Sequence, residues 1–344
     1  MKIHLNVFAP VLAVALAIIA PGSHANAGPV LDRVKAKDFV QCGVSHGIPG
    51  FSTPDNAGNW TGIDVDVCRG IAAALFGDSN KVRYSPLSAN ERITALQGGE
   101  IDVLSGTMSW TLARDTALGL NFPAVTYYDG QGFMARKSLS VESALELDRA
   151  SVCIKLGTKT ELNLFNYFRA NNMKFKGVFF EKAHEVIAAY DAGRCDVYTT
   201  NQSALAAQRT KLKNPGEHIL LPEIFSKEPL GPVIVHGDDQ WFKIIQWTLF
   251  AMLDAEENGV SSKNVDELKA GSNSTAHRRL LGAEGNVGKT LGLNKDWAYN
   301  IVKQVGNYGE IFDRNLGPNT SVNLPRGLNN LWNKGGIHYP LPVR

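Results

Sequence analysis

The chain has 344 residues, of which 44% are hydrophobic and 20% charged, and its formal net charge is +2. This length is enough for one large domain or for two lobes of ordinary size. The nearly neutral balance and the lack of Lys/Arg tracts in the sequence indicate neither a nucleic-acid partner nor an anionic membrane surface.

Residues 1–27 have the three-part pattern of a secretory signal peptide. One Lys precedes the apolar run 11–20, and small residues ending in Ala27 follow it. The alternative, a membrane anchor, needs ~20 apolar residues, whereas Pro10 and Pro21 bracket a shorter run. We therefore predict export with cleavage after Ala27. A lipid anchor is not expected, because no Cys follows the run.

Export changes the interpretation of the four cysteines, which are Cys42, Cys68, Cys153 and Cys195. An oxidising compartment permits disulfides, and four cysteines allow three pairings. Two bridges are favoured, and four buried thiols are the alternative. The cysteines and histidines show no zinc-ligand spacing, so the sequence predicts no metal and no other cofactor.

Strand-like and helix-like segments alternate after the signal peptide. In chain order the strand-like segments are "FVQCGV", "KVRYS", "IDVLSG", "SVCIKLG", "GVFF" and "CDVYTT". The helix-like segments that follow them in turn are "DVCRGIAAALFG", "ERITALQGG", "TLARDTALG", "ELNLFNYFRANN", "HEVIAAYDAG" and "SALAAQRTKL". This alternation is typical of an α/β fold with parallel sheets.

The alternation contains a duplication. "ALQGGEIDVLSGT" (95–107) and "AYDAGRCDVYTTN" (189–201) align without a gap at an offset of 94 residues. Convergence on common α/β patterns is the alternative, but the shared order of elements favours two similar lobes. Extended segments at 130–137 and 228–237 flank the second lobe and are predicted to cross between lobes. The first lobe is then 28–133 plus 233–344, with a C-terminal helical extension, and the second is 134–232.

Catalytic patterns are weak in this sequence. It suggests no Ser-His-Asp or Cys-His arrangement. The paired carboxylates Asp64 and Asp66 precede an apolar helix, so we expect them to cap that helix and favour its N-terminal dipole.

"WTGIDVDVCRGIAAALFG" resembles the signature of family 3 periplasmic solute-binding proteins. Other stretches are similar to the general L-amino-acid-binding branch of that family, among them "GLNFPAVTYYDGQGFMARKSL", "TELNLFNYFRANNMK", "YDAGRCDVYTTNQSAL", "KEPLGP" and "DWAYNIVKQVGNYGEIFDRN". The resemblance covers almost the whole mature chain. It implies the type II periplasmic-binding-protein fold, in which two α/β lobes, each with a mostly parallel sheet, are joined by two crossover strands that act as a hinge.

The resemblance also implies a function. Such a protein binds one small ligand by lobe closure in the periplasm, as a monomer, and delivers it to an inner-membrane ABC permease driven by a cytoplasmic ATPase. An L-amino acid or a close relative is the implied ligand, and no reaction is expected. A carboxylate without the α-amine, or with an extra anionic group, is an alternative ligand. A periplasmic dehydratase-like enzyme is the less favoured alternative, because no carboxylic acid is expected in the cleft.

The resemblance places the ligand carboxylate in the first lobe. A carboxylate is bound well by a guanidinium group together with hydroxyl and N–H donors. The stretch "SGTMSWTLARD" supplies Arg114 with Thr107 and Ser109. Family members also stack an aromatic ring on the ligand from the loop "HGIPGFS". Ile48 occupies the usual aromatic position, so Phe51 or His46 is expected to line the cleft.

The second lobe departs from the pattern that the resemblance implies. Its strand-to-helix turn has Thr158 and then Lys159 where a small hydroxyl residue is common, and Asn201 stands where an acid would pair the ligand's ammonium. Together these changes shift the charge of the cleft by +2, which argues against an ordinary amino acid. Alternatively, Lys159 points to solvent and the Asn201 oxygen accepts from the ammonium. Both interpretations stay open. We also predict the disulfides Cys42–Cys68 and Cys153–Cys195.

Overall fold

The structure is a computed structural model that describes residues 28–88, 90–156 and 158–344, without the side chain of Ala183. The predicted signal peptide, residues 1–27, lies outside the described residues. The strands are β1 Val40–Ser45, β2 Thr53–Pro54, β3 Trp60–Thr61, β4 Val82–Leu87, β5 Val103–Ser109, β6 Leu120–Asn121, β7 Tyr127–Asp129, β8 Gln131–Arg136, β9 Ser151–Lys155, β10 Lys176–Phe180, β11 Val197–Asn201, β12 His218–Leu220 and β13 Glu228–Val235. The helices are α1 Pro29–Lys37, α2 Ile63–Phe76, α3 Arg92–Gln97, α4 Leu112–Ala117, α5 Lys159–Ala170, α6 Ala183–Asp191, α7 Gln202–Arg209, α8 Asp239–Glu257, α9 Val265–Gly271, α10 Thr275–Leu280, α11 Trp297–Gln304 and α12 Tyr308–Asn315.

Two sheets of related topology confirm the α/β fold with two lobes. The first has the order β4-β1-β5-β13-β6, with β7 also paired to β13, and the second has the order β10-β9-β11-β8-β12. In each sheet three strands run parallel, and the strand beside them that connects the lobes, β13 or β8, runs antiparallel. The strands matched by the 94-residue offset, β5 and β11, hold the same place in their sheets, as expected for a duplication.

The chain crosses between the sheets at two adjacent places. Strand β7 of the first sheet passes into β8 of the second at Gly130, and the chain returns just before Glu228, which faces Asp129 in the antiparallel pair of β13 and β7. The crossings approach closely, since a Cβ on Gly130 would lie 2.5 Å from the Ser226 carbonyl oxygen. Both crossings fall a few residues before the predicted boundaries at 133/134 and 232/233.

The C-terminal part of the chain belongs to the core of the first lobe. Helices α8 and α11 pack on α2, and Trp241 and Trp297 are fully buried there. Gly70 of α2 lies so close to α8 that a Cβ would collide with Met252. Burial of this apolar surface stabilises the lobe. Within the described residues, no helix combines the length and the apolar character needed to cross a membrane.

Both predicted disulfides are confirmed. Cys42 of β1 is joined to Cys68 of α2, and Cys153 of β9 to Cys195, just before β11. Each bridge therefore ties a strand of one sheet to a neighbouring element of the same lobe.

Candidate ligand-binding cleft

A cleft of ≈ 550 Å³ lies between the lobes. Its volume is in the range of small-molecule sites, and it opens where the carboxyl ends of β5, β9 and β11 meet, which is where α/β sheets bind ligands. The lining residues are Asn90, Arg92, Ile93, Ser109 and Arg114 from the first lobe, Lys155, Leu156, Thr158, Lys159, Thr160, Glu181 and Asn201 from the second, and Glu228 from the hinge.

Arg114 and Ser109 form the first-lobe side of the cleft. Ser109 ends β5 and Arg114 lies in the short helix α4, so Arg114 Nη1 can donate to the Ser109 carbonyl oxygen at 2.7 Å. Burial lowers the pKa of Arg114, and the charge of Glu228 partly opposes that shift. Among the described residues Arg114 makes no ion pair, so most of its N–H donors remain available to a ligand.

A second guanidinium, Arg92, reaches the cleft from the start of α3. Its Nη1 donates to the Gly106 carbonyl oxygen at 2.9 Å, and its Nε is buried without a hydrogen-bond partner among the described residues. Burial and the repulsion of Arg114 lower the pKa of Arg92 to about 10, against the attraction of Asp64. The sequence did not predict this residue, because "ERITALQGG" shows a helix but not which residue of its first turn faces a cleft.

Glu228 places a buried carboxylate in the cleft, so the expectation of no carboxylic acid there is wrong. The residue is 7% exposed. It accepts a hydrogen bond from the Ser109 hydroxyl, and Lys159 Nζ lies 3.3 Å from its Oε2. The sequence did contain a signal for this residue. Glu228 is a charged residue at the first position of the predicted crossover 228–237, and the crossover strands lie at the base of the cleft.

Thr158 and Lys159 begin α5 on the second-lobe side. Thr158 is the N-cap residue by position, but its hydroxyl donates to the Lys155 carbonyl oxygen at 2.8 Å instead of capping the helix. Lys159 does not point away into solvent, because its amine reaches back to Glu228, although its side chain is 51% exposed. The partner offsets the unfavourable position of a lysine at a helix N-terminus.

Asn201 lies at the end of β11, and its side chain approaches Asp129 of the hinge. Burial raises the pKa of Asp129 to about 6, against the hydrogen bonds from Ser203 and Gly130. A carboxylate only accepts, so the Asn201 amide nitrogen is the group that can donate to it, and the Asn201 oxygen can then accept from a ligand in the cleft. Asn201 is the N-cap residue of α7 by position, without a side-chain cap bond.

Comparison with known proteins identifies the family of the chain. A family model described as bacterial extracellular solute-binding proteins, family 3, matches residues 40–263. The chain belongs to this family.

Individual members of this family are similar over nearly the whole chain. The general L-amino acid-binding periplasmic protein AapJ of Rhizobium johnstonii is 58% identical over 96% of this chain and 98% of its own. The putative amino-acid ABC transporter-binding protein YhdW of Escherichia coli strain K12 is 55% identical over 97% and 98%. A solved structure, an ABC transporter periplasmic binding protein from Brucella ovis with glutathione bound, is 52% identical and superimposes with a TM-score of 0.87 over 91% of this chain and 99% of that one.

The loop from which family members stack an aromatic ring does not line this cleft. Phe51 is 1% exposed and packs edge-on against Tyr127 in the first-lobe core, with ring centroids 5.4 Å apart. Ile48 packs against the same core, and His46 is exposed outside the cleft. The expected stacking by Phe51 fails because the ring fills the core between α2 and β7.

Thr107 and the acidic pair Asp64 and Asp66 act beside the cleft rather than in it. Thr107 has a left-handed φ of 51°, and its hydroxyl lies 3.4 Å from that of Ser45. Asp64 and Asp66 do not cap α2, whose N-cap is Gly62, although both lie in its first turn. Asp64 instead accepts a hydrogen bond from the Ser105 hydroxyl at 3.3 Å, and so ties the first turn of α2 to β5.

Asp66 has a different partner. It pairs with Arg314 of α12, with Nη2 and Oδ2 2.8 Å apart, and so ties α2 to the C-terminal helices. The expectation that Asp64 and Asp66 are structural therefore agrees with their contacts, but the capping geometry was wrong.

The cleft has more cations than carboxylates. Arg92, Arg114, Lys155 and Lys159 line it, against Glu181 and Glu228. Lys159 and Glu228 form the one ion pair between these groups in the described part of the chain. No group of three His, Cys, Asp or Glu residues among the described residues could hold a metal ion. The arrangement suits an anionic or zwitterionic small molecule.

Proposed function

We propose that this protein is the periplasmic substrate-binding component of an ABC importer and captures an L-amino acid, or a close relative of one, between its lobes. The observation that carries the proposal is the Arg114 guanidinium, held by the Ser109 carbonyl oxygen at the base of the cleft and not ion-paired among the described residues. The near-full-length similarity to AapJ and YhdW supports the same ligand class and the same transport role.

The ligand carboxylate would bind the free face of the Arg114 fork, because a guanidinium matches a carboxylate in two parallel hydrogen bonds. The N-terminus of α5, with Thr158, faces the same space and would add N–H donors from the second lobe. The Asn201 oxygen would accept from the ligand's amine. Closure of the lobes brings these groups together, which is how a hinged cleft converts binding into a change of shape.

Delivery requires parts outside this chain. We propose cleavage of residues 1–27 during export, residence in the periplasm without a lipid anchor, and docking as a monomer on an inner-membrane permease with a cytoplasmic ATPase. The first lobe would comprise 28–133 and 233–344, and the second 134–232. No nucleic acid and no cofactor takes part.

We also propose that the protein performs no reaction. A dehydratase would need an acid that donates a proton into the cleft. Glu228 instead accepts from Ser109 and from Lys159, so it is arranged as an acceptor. A binding role needs nothing more than these contacts.

A ligand carrying a second carboxylate is a further candidate. The excess of cations in the cleft and the unpaired Arg92 Nε favour it, and the Brucella ovis relative was solved with glutathione bound. Glutathione keeps an α-amino acid end and adds a second carboxylate, so both candidates use the same Arg114 contact.

Ligand screening of the mature protein tests these proposals. Thermal shift and calorimetry would compare L-amino acids, glutathione, and matched acids that lack the amine. A ligand at a hundred times its Kd stabilises the folded state by about 2.7 kcal/mol, which is readily visible as a rise in Tm. Stabilisation by amine-free acids alone would refute the amino-acid assignment, and no stabilisation by any compound would refute the binding role.

A further inference from the structure

Glu228 is a buried carboxylate with weak compensation. Its partners in the described structure are the Ser109 hydroxyl, the Ser226 hydroxyl at 3.3 Å and Lys159 Nζ at 3.3 Å. A buried charge is costly unless it is paired and fully hydrogen-bonded. The cation in direct contact, Lys159, is half exposed, and ion pairs with such groups contribute little. The carboxylate therefore has capacity for a stronger cation inside the cleft.

The position of Glu228 relative to Arg114 matches an α-amino acid. Ser109 touches both groups, because its carbonyl oxygen accepts from Arg114 and its hydroxyl donates to Glu228. A guanidinium and a carboxylate thus contact the same residue. An α-amino acid carries its carboxylate and its ammonium on one carbon, so one such ligand carries the complementary pair of charges.

The residue at position 201 cannot supply the same charge. Asn201 is neutral, and its side chain approaches Asp129 of the hinge. Glu181 also lines the cleft, but it is exposed. Glu228 is therefore the lining carboxylate that is both buried and adjacent to the Arg114 site.

We propose that Glu228 accepts the ligand's ammonium and that the ligand displaces Lys159 from this carboxylate. The inference rests on the proposed function, and it makes Glu228 the residue that selects ligands with an amine over ligands without one. In the empty protein Lys159 pairs with Glu228, so the ligand's ammonium has to compete with it. After displacement its amine is free to meet an anionic group at the mouth of the cleft.

The test uses ligand pairs that differ only in the amine. L-glutamate is compared with glutarate, and L-alanine with propionate, by calorimetry on the mature protein and on Glu228→Gln. The variant should lose ten- to hundredfold in affinity for the amino acid, the range expected for a lost charge-assisted bond, and little or nothing for the amine-free acid. Glu142→Gln removes the same charge from an exposed position that does not line the cleft, and should leave the discrimination unchanged.

A second variant keeps the inference testable if Glu228→Gln folds poorly. Lys159→Gln removes the competitor from a half-exposed position, so it should bind L-alanine, which has no second anionic group for Lys159 to meet, severalfold more tightly than the wild type. Weaker binding of L-alanine by Lys159→Gln, or an equal loss of both members of a pair in Glu228→Gln, would overturn the inference. If the wild type binds neither the amino acids nor their analogues, the proposed function itself fails.

Discussion

Replacement of Arg114 is the most direct perturbation of the proposed carboxylate site. Arg114 donates one hydrogen bond to the Ser109 carbonyl oxygen and makes no ion pair among the described residues. A bound carboxylate could therefore receive two charge-assisted hydrogen bonds from its other N–H groups. Each such bond contributes ~1.5–3 kcal/mol. Arg114→Lys keeps the charge but not the fork and should lose one bond, or about ten- to hundredfold in affinity. Arg114→Met should lose at least a hundredfold.

The measurement is calorimetric titration with L-glutamate at neutral pH and physiological salt. Arg69→Lys is the matched control, because Arg69 pairs with Asp66 outside the cleft, with Nη1 and Oδ1 3.6 Å apart, and should bind like the wild type. A second titration with glutathione would show the same loss if both ligands share the Arg114 contact. A Kd for Arg114→Met within threefold of the wild type would refute the assignment of Arg114 as the carboxylate receptor.

Three further changes test individual contacts. Burial raises the pKa of Asp64 from 3.8 to about 7, so the folded state holds a proton that the unfolded chain releases, and stability falls as pH rises from about 4 through 7. Asp64→Asn should remove up to ~4 kcal/mol of this fall in the free energy of unfolding, measured with urea. An unchanged dependence of that free energy on pH would contradict the prediction. Asn201→Asp places a carboxylate beside Asp129, whose pKa is already raised to about 6. Because two neighbouring carboxylates ionise together only at higher pH, any gain in amino-acid affinity should grow between pH 6 and 8. A gain independent of pH would count against this contact. The bridge between Cys153 and Cys195 closes a loop with a sequence separation of 42, so replacing both cysteines with Ser should lower the free energy of unfolding by ~4 kcal/mol. A loss below ~1 kcal/mol would show that the bridge contributes little to stability.

Local patterns in the sequence were enough to predict the fold. Strand and helix periods follow from side-chain alternation and are read within a few residues. The 94-residue offset then related β5 to β11, because duplicated lobes repeat their order of elements. Arg114, Ser109, Lys159 and Asn201 were placed at strand ends by that order, and the cleft is lined by all four.

What the sequence missed depends on contacts between distant residues. Phe51 was expected in the cleft, but its ring packs against Tyr127, which is far along the chain. The role of Glu228 depends on Ser109 and Lys159, which come from different lobes. A strand pattern specifies alternation of faces, but it does not say what each face meets after the chain has crossed between lobes twice.

The two departures in the second lobe have a common explanation in the hinge. Lys159, which adds a positive charge to the usual pattern, is paired with Glu228. Asn201, which removes a negative charge from that pattern, lies beside Asp129. Asp129 and Glu228 face each other on the two antiparallel hinge strands. The buried carboxylates near the ligand site therefore belong to the hinge rather than to the second-lobe turn. If Glu228 holds the ammonium, that contact forms before the lobes close, and closure depends on what the second lobe adds at Lys159 and at the N-terminus of α5.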